Sequence, residues 1–266
     1  MKKRLAYNGC LLLCLLTSYA PALLPSQLWA ISGAVSEVRS VSDFHAVLFA
    51  GPGKLVITQG PTETLTVVAE ASLLAYVKSV VQAGVLTLTF DQTNWRATPS
   101  GTEAIQWLLT VKKLDTLMLK GLGRVEAAKL KTIGLQIGIV GQGEVQMADL
   151  DVIDLTCSVT GQGKLQLSRV KATQASCVIA EAGAIELTGQ ATTQAVTVTD
   201  QGDYQAGDLD SQTAKVGING TGNITLWVRK RLTIEVFGNG VVAYYGHPAL
   251  FECGLGKANI RALGDK

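Results

Sequence analysis

The chain contains 266 residues and carries a net charge of +2, and its length allows one or two domains. This nearly neutral balance argues against nucleic acid as a partner, because phosphate binding requires a clustered basic surface. Val, Ile, Leu, Thr and the 28 Gly residues dominate the composition, which predicts an all-β protein with many tight turns.

Residues 1–30 have the organisation of a secretory signal peptide. The positive segment MKKR precedes the apolar run LLLCLLTSYAPALL, and QLWA ends in a small residue that suits cleavage after Ala30. The alternative is an uncleaved membrane anchor, but Pro21 and Pro25 interrupt the run and leave it short of the ~20 residues of a comfortable span. Cys14 lacks the small residue expected before a lipidated cysteine. We therefore expect an exported protein (periplasmic, outer-membrane-associated or extracellular) with no transmembrane segment after cleavage.

The next segment, 43–120, predicts irregular β coils. AVLFAGPGKLVITQG (46–60) has the pattern of one coil, with Gly51 and Gly53 at its turn, while ETLTVVAE (63–70) and GVLTLTF (84–90) are predicted strands. ASLLAYVKSVV (71–81) is compatible with a short helix or a loop. DQTNWRATPSGTEA (91–104) is polar and predicts a loop.

Residues 121–260 repeat a glycine triplet at intervals of 16 to 20 residues. The last glycine of each triplet is Gly123, Gly143, Gly163, Gly183, Gly202, Gly222, Gly240 or Gly256. Apolar residues stand at matching offsets on both sides of the triplet and alternate with mostly polar ones, which is the period of a β-strand. One such column is Leu117, Ile137, Cys157, Cys177, Val196, Val216 and Ile234. Each repeat is therefore predicted to be two short strands joined by a bend at the triplet.

A unit of about 20 residues cannot bury an apolar face alone, but stacked copies of it can. Strands of successive copies would run parallel, ~4.8 Å apart, and the sequence has no helical period that could supply crossover helices. We therefore predict a single-domain right-handed parallel β-helix, or β-solenoid, over 31–266, with irregular coils at 43–120 and regular coils at 121–260. Glycine is expected at the bends because it tolerates positive φ.

Three stretches of the sequence resemble a known family. They are DFHAVLFAGPGKLVITQG, LTVVAEASLLAYVKSVVQAGVLTLTF and LDTLMLKGLGRVEAAKL, which are similar to the putative auto-transporter adhesin, head GIN domain family. The resemblance extends over about 43–260. It implies a β-helical, secreted or envelope-associated protein, chiefly bacterial, and supplies no catalytic residues. The chain departs from the family pattern at EAG (181–183) and DQG (200–202), where the first glycine of the triplet is lost.

Charged residues at equivalent positions of successive repeats alternate in sign. The predicted columns are Lys131, Asp151, Lys171, Ala191, Asp210 and Lys230; Lys129, Asp149, Arg169 and, two coils further on, Asp208; and Arg124, Glu144 and Lys164. Opposite charges in neighbouring strands relieve the repulsion that identical stacked coils would suffer. No column places two acids side by side, so the paired carboxylates of a polysaccharide-active β-helix enzyme are not predicted.

The two histidines, His45 and His247, stand far apart and are expected at the surface, since two lone histidines make a poor metal set. The aromatic residues fall near the two ends of the coiled region: Trp95, Trp107 and Tyr76 near one, and Trp227, Tyr244 and Tyr245 near the other. They are expected to cap the open ends of the core, and the alternative is that they stack on sugar rings.

Cys157 and Cys177 occupy the same column and are expected to lie one above the other, facing inward. A spacing of ~4.8 Å between neighbouring Cα atoms would permit a disulfide. The Cβ atoms of parallel neighbours, however, are farther apart than the usual ~3.8 Å of a disulfide. Two buried free thiols are therefore predicted.

These observations predict an exported, non-enzymatic, adhesin-like or envelope-associated binding or structural protein. The alternative is a polysaccharide-active β-helix lyase or hydrolase. No catalytic, cofactor-binding or metal-binding residue is predicted, and no cofactor is expected. The expected partner is an unspecified envelope or surface ligand, either polysaccharide or protein, and the oligomeric state is left open.

Overall fold

The computed structural model describes residues 34–91, 104–256 and 258–266, which lie in one compact unit spanning 31–266. The predicted β architecture is confirmed, since strands dominate and form a β-solenoid of about seven turns. The ambiguous segment 71–81 contains the short helix α1 (Ala71–Leu74) followed by a strand. The loop predicted at 91–104 lies largely outside the described residues. No helix in the described part is long and apolar enough to cross a membrane.

The N-terminal part contains β1 (Ala34–Arg39), β2 (Ala46–Ala50), β3 (Lys54–Gln59), β4 (Thr64–Glu70), β5 (Val77–Gln82), β6 (Val85–Phe90), β7 (Ile105–Val111), β8 (Thr116–Gly121) and β9 (Arg124–Ala127). The regular coils contain β10 (Leu130–Gly141), β11 (Glu144–Ala148), β12 (Leu150–Gly161), β13 (Lys164–Glu181), β14 (Ala184–Asp200), β15 (Asp203–Gly220), β16 (Asn223–Val236), β17 (Val241–Tyr245), β18 (Ala249–Gly254) and β19 (Asn259–Gly264).

Each regular coil has three sides. The coil from residue 144 contains two strands, β11 and β12, as predicted, whereas β13, β14 and β15 each extend as one long strand over most of a coil. In the coil that begins at residue 144, the buried residues are Val145, Met147, Leu150, Val152, Leu155, Cys157 and Val159. Their spacing of two is broken twice, after Met147 and after Val152, and each break marks a corner where the chain turns around the core. We call 144–148, 150–152 and 154–160 the first, second and third sides, and use the same names for equivalent residues of other coils.

Successive coils stack in parallel, with equivalent residues paired. Ile137 of β10 lies opposite Cys157 of β12, which lies opposite Cys177 of β13. The inward columns of all three sides are buried and form one continuous core. Because a single coil cannot bury its own apolar residues, each coil depends on its neighbours for its stability.

The N-terminal coils do not stack in chain order. The coil formed by β2 and β3, predicted from residues 46–60, pairs with β8 and β9 on one side and with β6 and β7 on the other. After β3 the chain therefore forms β4 to β7 on one side of this coil, with β4 and β5 as antiparallel neighbours of β7 and β6. It then continues with β8 and β9 on the opposite side of the same coil. Strand β1 then pairs with β4.

Trp107 and Gln59 stabilise these first coils. The Trp107 side chain is fully buried, lies edge-on to Phe49 at 5.7 Å between ring centroids, and donates an Nε1 hydrogen bond to the Pro52 carbonyl at 3.1 Å. Gln59 exchanges two hydrogen bonds of 2.9 Å with the backbone of Lys131. Both residues have structural roles in joining neighbouring coils.

The first glycine supplies a left-handed backbone in most triplets, though not at Gly238. Gly121, Gly141 and Gly161 have φ angles of 92°, 116° and 106°. Where this glycine is absent the bend is retained, because Glu181 and Asp200 adopt φ angles of 67° and 68°. A residue with a Cβ atom pays ~1–2 kcal/mol for this conformation, so these two coils are strained at the bend.

Replacing Glu181 by glycine should raise the free energy of unfolding by about 0.5–1 kcal/mol, because relief of the left-handed strain exceeds the extra chain entropy of glycine when unfolded. Urea denaturation would measure the change. Glu181→Ala removes the same side chain but keeps the Cβ atom, so it should not stabilise. Equal stabilisation by alanine would show that the strain does not lie in the backbone.

The last glycine of the triplet is required for a different reason. Its φ is not left-handed at Gly143, Gly163 or Gly183, yet a Cβ atom at Gly163 would come within 2.5 Å of the Ile139 side chain and 3.0 Å of the Gly143 carbonyl oxygen. The chain therefore passes so close to the preceding coil that only a hydrogen atom fits.

The C-terminal end of the core is uncovered. Every residue of β18 is exposed, although Leu250 and Glu252 pair with the buried Leu232 and Ile234 of β16. The parallel register therefore directs both side chains along the inward columns, with no further coil above them among the described residues. Glu252 thus occupies a position that is apolar in the coil beneath it.

Candidate ligand-binding surface

The predicted column Arg124, Glu144 and Lys164 is confirmed on the first side. Glu144 pairs in register with both basic residues, and Arg124 Nη1 lies 3.3 Å from Glu144 Oε2. Beside this column runs a chain of amide hydrogen bonds: Gln146 Nε2 donates to Gln166 Oε1 at 2.8 Å, and Gln166 Nε2 donates to Glu186 Oε2 at 2.8 Å. The polar groups of the first side are thus bonded mainly to one another.

The column that begins at Lys131 is only partly as predicted. Lys131 pairs with Asp151, and Asp151 with Lys171, but the next member is Gln190 instead of Ala191. Residue counting fails here because the pairing of β13 with β14 shifts between Leu167 and Val170. Ala191 is buried, one position nearer the second corner.

The far end of this column also differs from the prediction. Gln190 pairs with Asp210, whose carboxylate accepts two hydrogen bonds of 2.6 Å from the Arg229 guanidinium group. Lys230, predicted for this place, is absent from the ion pairs of the described residues. The pairing of β15 with β16 shifts twice nearby, after Ala206 and after Ser211, and this displaces the basic partner by one residue.

Asp149 and Arg169 form the central pair of the third predicted column. Both have left-handed backbones, with φ angles of 51° and 52°, at the first corner, and Arg169 Nη2 donates to Asp149 Oδ2 at 3.0 Å. This hydrogen bond lowers the pKa of Asp149. Asp208 lies two coils beyond Arg169, as predicted, because Thr188 stands between them, and it binds Lys266.

The histidines are separate and exposed. His45 Nδ1 lies 3.7 Å from Asp115 Oδ2, and His247 Nε2 lies 2.9 Å from Asp265 Oδ1. The side chains are 57 % and 79 % exposed, so each belongs to a surface pair. Within the described ranges, no group of three or more His, Cys, Asp or Glu residues could hold a metal ion.

The aromatic residues have several different roles. Trp107 is buried in the N-terminal core, and Tyr76 packs against Phe90 at 5.9 Å between ring centroids, which agrees with capping of that end. Near the other end, the Arg229 guanidinium lies 5.4 Å from the Trp227 ring centroid and the Lys266 ammonium 4.7 Å from that of Tyr245. The rings of Trp227 and Tyr245 therefore contact cations, whereas Tyr244 packs against the core, in agreement with capping. Trp95 lies outside the described residues.

A buried polar cluster lies inside the solenoid, and the sequence analysis did not identify it. Gln194 is 3 % exposed although its column is otherwise apolar. Its Oε1 accepts a hydrogen bond from the Tyr204 hydroxyl at 3.1 Å, and its Nε2 donates to Ser211 Oγ at 2.7 Å. Ser211 Oγ donates to the Trp227 carbonyl at 2.7 Å. Each group therefore has a partner, as burial requires. A polar residue in one repeat of an apolar column is the signal that could have revealed the cluster.

Cys157 and Cys177 lie beside each other in the core as free thiols. The neighbouring Cys177 side chain and burial raise the pKa of the Cys157 thiol well above its usual value. Both factors disfavour the thiolate that reacts with oxidants and disulfides. Cys157 is therefore protected chemically, and burial protects both thiols sterically.

Thiol titration of a protein that begins at residue 31, unfolded without reductant, should find three free thiols. The third is Cys253, which is exposed. The native protein should react with one equivalent only, because the other two are buried. Finding a single thiol after unfolding would show that Cys157 and Cys177 are bonded.

A groove of about 480 Å³ crosses four coils along the second side. It is lined by residues 151–153, 171–173 and 190–192 together with Asp210, Gln212 and Arg229. Small side chains, Ala172 and Ala191, lie between polar residues of the second side and of the second corner. This surface, called the second-side groove below, is an open channel parallel to the solenoid axis.

The family described as putative auto-transporter adhesin, head GIN domain matches residues 43–248. Among solved structures, a putative lipid binding protein from Parabacteroides distasonis is 20 % identical, with a TM-score of 0.79, and the match covers 88 % of this chain and 98 % of that one. A putative adhesin from Parabacteroides merdae is 21 % identical, with a TM-score of 0.74 and coverage of 88 % and 97 %. At these identities the likeness shows a shared fold. No curated protein matches the chain.

Proposed function

Since the chain belongs to the putative auto-transporter adhesin, head GIN domain family, we propose that it is an exported, non-enzymatic protein that binds an extended ligand at the cell envelope. Residues 1–30 direct export, and residues 31–266 form one β-solenoid domain that carries the binding surface. The observation that carries this proposal is the second-side groove, which runs over four stacked coils. An extended channel suits a polymer better than a small substrate.

The state of the surface carboxylates favours binding over catalysis. Asp151 is bound to Lys131 at 3.0 Å, Asp210 to Arg229 and Asp149 to Arg169. A glycoside hydrolase needs two carboxyl groups facing each other across the substrate, one of them protonated. Acids that are each paired with a stacked cation are poorly suited to that role. The descriptions of the solved relatives as adhesin and lipid binding protein also support binding.

Deleting residues 141–160 tests the proposal, because this removes one complete coil and leaves the apolar columns in register. Val140 would join Gly161, and Lys131 would then face Lys171, a modest cost at an exposed site. A solenoid that loses one internal coil should be weakened but folded. Expressed with its signal segment, the shortened protein should retain part of the envelope association that the full chain shows in cell fractionation.

The control is deletion of 141–150, which removes half a coil and puts the apolar columns out of register, so that this protein should not fold. Circular dichroism would establish the folded state of each variant. A full-length protein found outside the envelope fraction would overturn the proposal. A coil-deleted protein that folds but loses all association would overturn the part that assigns binding to an extended surface.

A further inference from the structure

We infer that the second-side groove binds an acidic polysaccharide, with the Lys171 ammonium group binding a carboxylate and the amides of Gln190 and Gln212 binding hydroxyl groups. This inference rests on the proposed function and names the class of its ligand. It is carried by the polar groups in the groove that the protein leaves without partners.

The first of these groups is the Lys171 ammonium. Lys171 is exposed and forms no ion pair within the described ranges, although Asp151 precedes it in the column. Asp151 is instead bound by Lys131 at 3.0 Å, and Asp210 is bound by Arg229 through two hydrogen bonds of 2.6 Å. Both acids that line the groove thus have another cation, and Lys171, which has only the longer-range attraction of Asp149, is the cation of the groove without an ion pair among the described residues. Such a group attracts an anion.

The amide groups of Gln190 and Gln212 are also unbonded in the described part of the chain, and both line the groove. The contrast with the first side is direct, because Gln146 and Gln166 bond to each other at 2.8 Å in a ladder of the same repeat. An amide offers two donors and one acceptor, a combination that matches the hydroxyl groups of a sugar. The first side uses its amides internally, whereas the groove presents them to solvent.

The spacing of these groups favours a polymer. Lys171, Gln190 and Asp210 come from three successive coils, so they follow one another at ~4.8 Å along the solenoid axis. The floor of the groove contains the short side chains of Ala172 and Ala191. A polymer chain can therefore lie along the groove and meet a polar group of a different kind at each of these coils.

The groove is poorly suited to a lipid chain or to a protein hot spot. Ile153, which is 50 % exposed, is the one large exposed apolar side chain among its lining residues. Protein hot spots rely on buried aromatic or arginine anchors, and Arg229 is already occupied by Asp210. Of these kinds of ligand, the groove best suits one that is recognised through its hydroxyl and carboxylate groups.

Isothermal titration calorimetry with polygalacturonate tests the inference, and the fully methyl-esterified polymer serves as the uncharged probe with the same backbone. The protein, from residue 31 onward, should bind polygalacturonate more tightly than the ester. Lys171→Gln should raise the dissociation constant for polygalacturonate roughly tenfold, the value of one charge-assisted hydrogen bond, and should abolish the preference for it. The double variant Gln190→Ala, Gln212→Ala should weaken binding of both polymers.

Lys120→Gln is the matched control, because Lys120 is an exposed lysine outside the groove with no ion pair in the described part of the chain; it should bind as the parent does. Thermal denaturation would check that each variant is folded. Equal loss in Lys120→Gln, or no binding of either polymer by the parent, would overturn the inference. If envelope association nevertheless persists in the Lys171→Gln variant, the proposed function stands and only the assignment of the groove fails.

Discussion

Replacing Gly163 by alanine should lower the free energy of unfolding by about 3 kcal/mol, the upper end of the usual cost of overpacking. The added methyl group would come within 2.5 Å of Ile139 Cγ2 and 3.0 Å of the Gly143 carbonyl oxygen. The side chain could change its rotamer, but the carbonyl belongs to the backbone ladder between coils. The two coils would therefore have to separate, which weakens packing on either side of the triplet.

Urea denaturation of both proteins measures this loss. Gly134→Ala is the control, since an added Cβ atom there would meet nothing closer than the Asp154 carbonyl oxygen at 3.9 Å. It should be neutral or slightly stabilising, because alanine lowers the entropy of the unfolded chain. A Gly163→Ala protein as stable as its parent would show that the coils can separate locally without cost.

Replacing Gln194 by leucine should cost about 2–3 kcal/mol, even though the neighbouring residues of its column are apolar. The substitution removes the acceptor of the Tyr204 hydroxyl, which is buried and donates to Gln194 Oε1 at 3.1 Å. It also removes the amide bonded to Ser211 at 2.7 Å. A buried polar group left without a partner costs ~1–3 kcal/mol, and leucine does not repair that loss.

A double-mutant cycle separates the hydrogen bond from packing. In the Gln194→Leu, Tyr204→Phe protein both partners are apolar, so most of the stability should return. Gln174→Leu makes the same change at an exposed position of the third side and should have little effect. If the two core substitutions proved additive, the Tyr204–Gln194 bond would contribute nothing to stability.

The repeat itself could be predicted because the fold copies a local pattern. Apolar residues at fixed offsets from the glycine triplet identified the core columns, including Cys157 and Cys177, and parallel stacking followed from the repeat length. The second side was missed because its inward column contains Ala172, Ala191 and Ser211, which do not stand out as core residues. It is recognised only from the two places in the coil where the spacing of two between buried residues is broken.

The order of the first coils could not be read from the sequence. Strands β6 and β7 lie beneath β2 and β3, which precede them in the chain. No local pattern encodes such a non-sequential arrangement, since it depends on pairings between distant segments. The same limit explains the charge column that failed after Lys171, where one irregular pairing in the preceding coil replaced Ala191 by Gln190.

The binding surface could be predicted even less completely. Alternating charges were visible as residue types, but which of them are paired depends on side-chain geometry. Lys171 and Lys131 occupy equivalent positions of one column, yet only Lys131 binds Asp151. The distinction that gives the second-side groove its free cation is therefore a property of the folded chain.

The exposed strand β18 affects how separate molecules could stack end to end. A solenoid whose last coil matched its internal coils would be a template for indefinite growth, in the way that a fibril end recruits further strands. Glu252 stands where the coil beneath has Ile234, so any molecule that joined this end would have to enclose a carboxylate. That costs several kcal/mol unless a cation accompanies it. An inward charge on an edge strand is a known defence against aggregation, and Glu252 places such a charge on β18, the strand left uncovered in the described part of the chain.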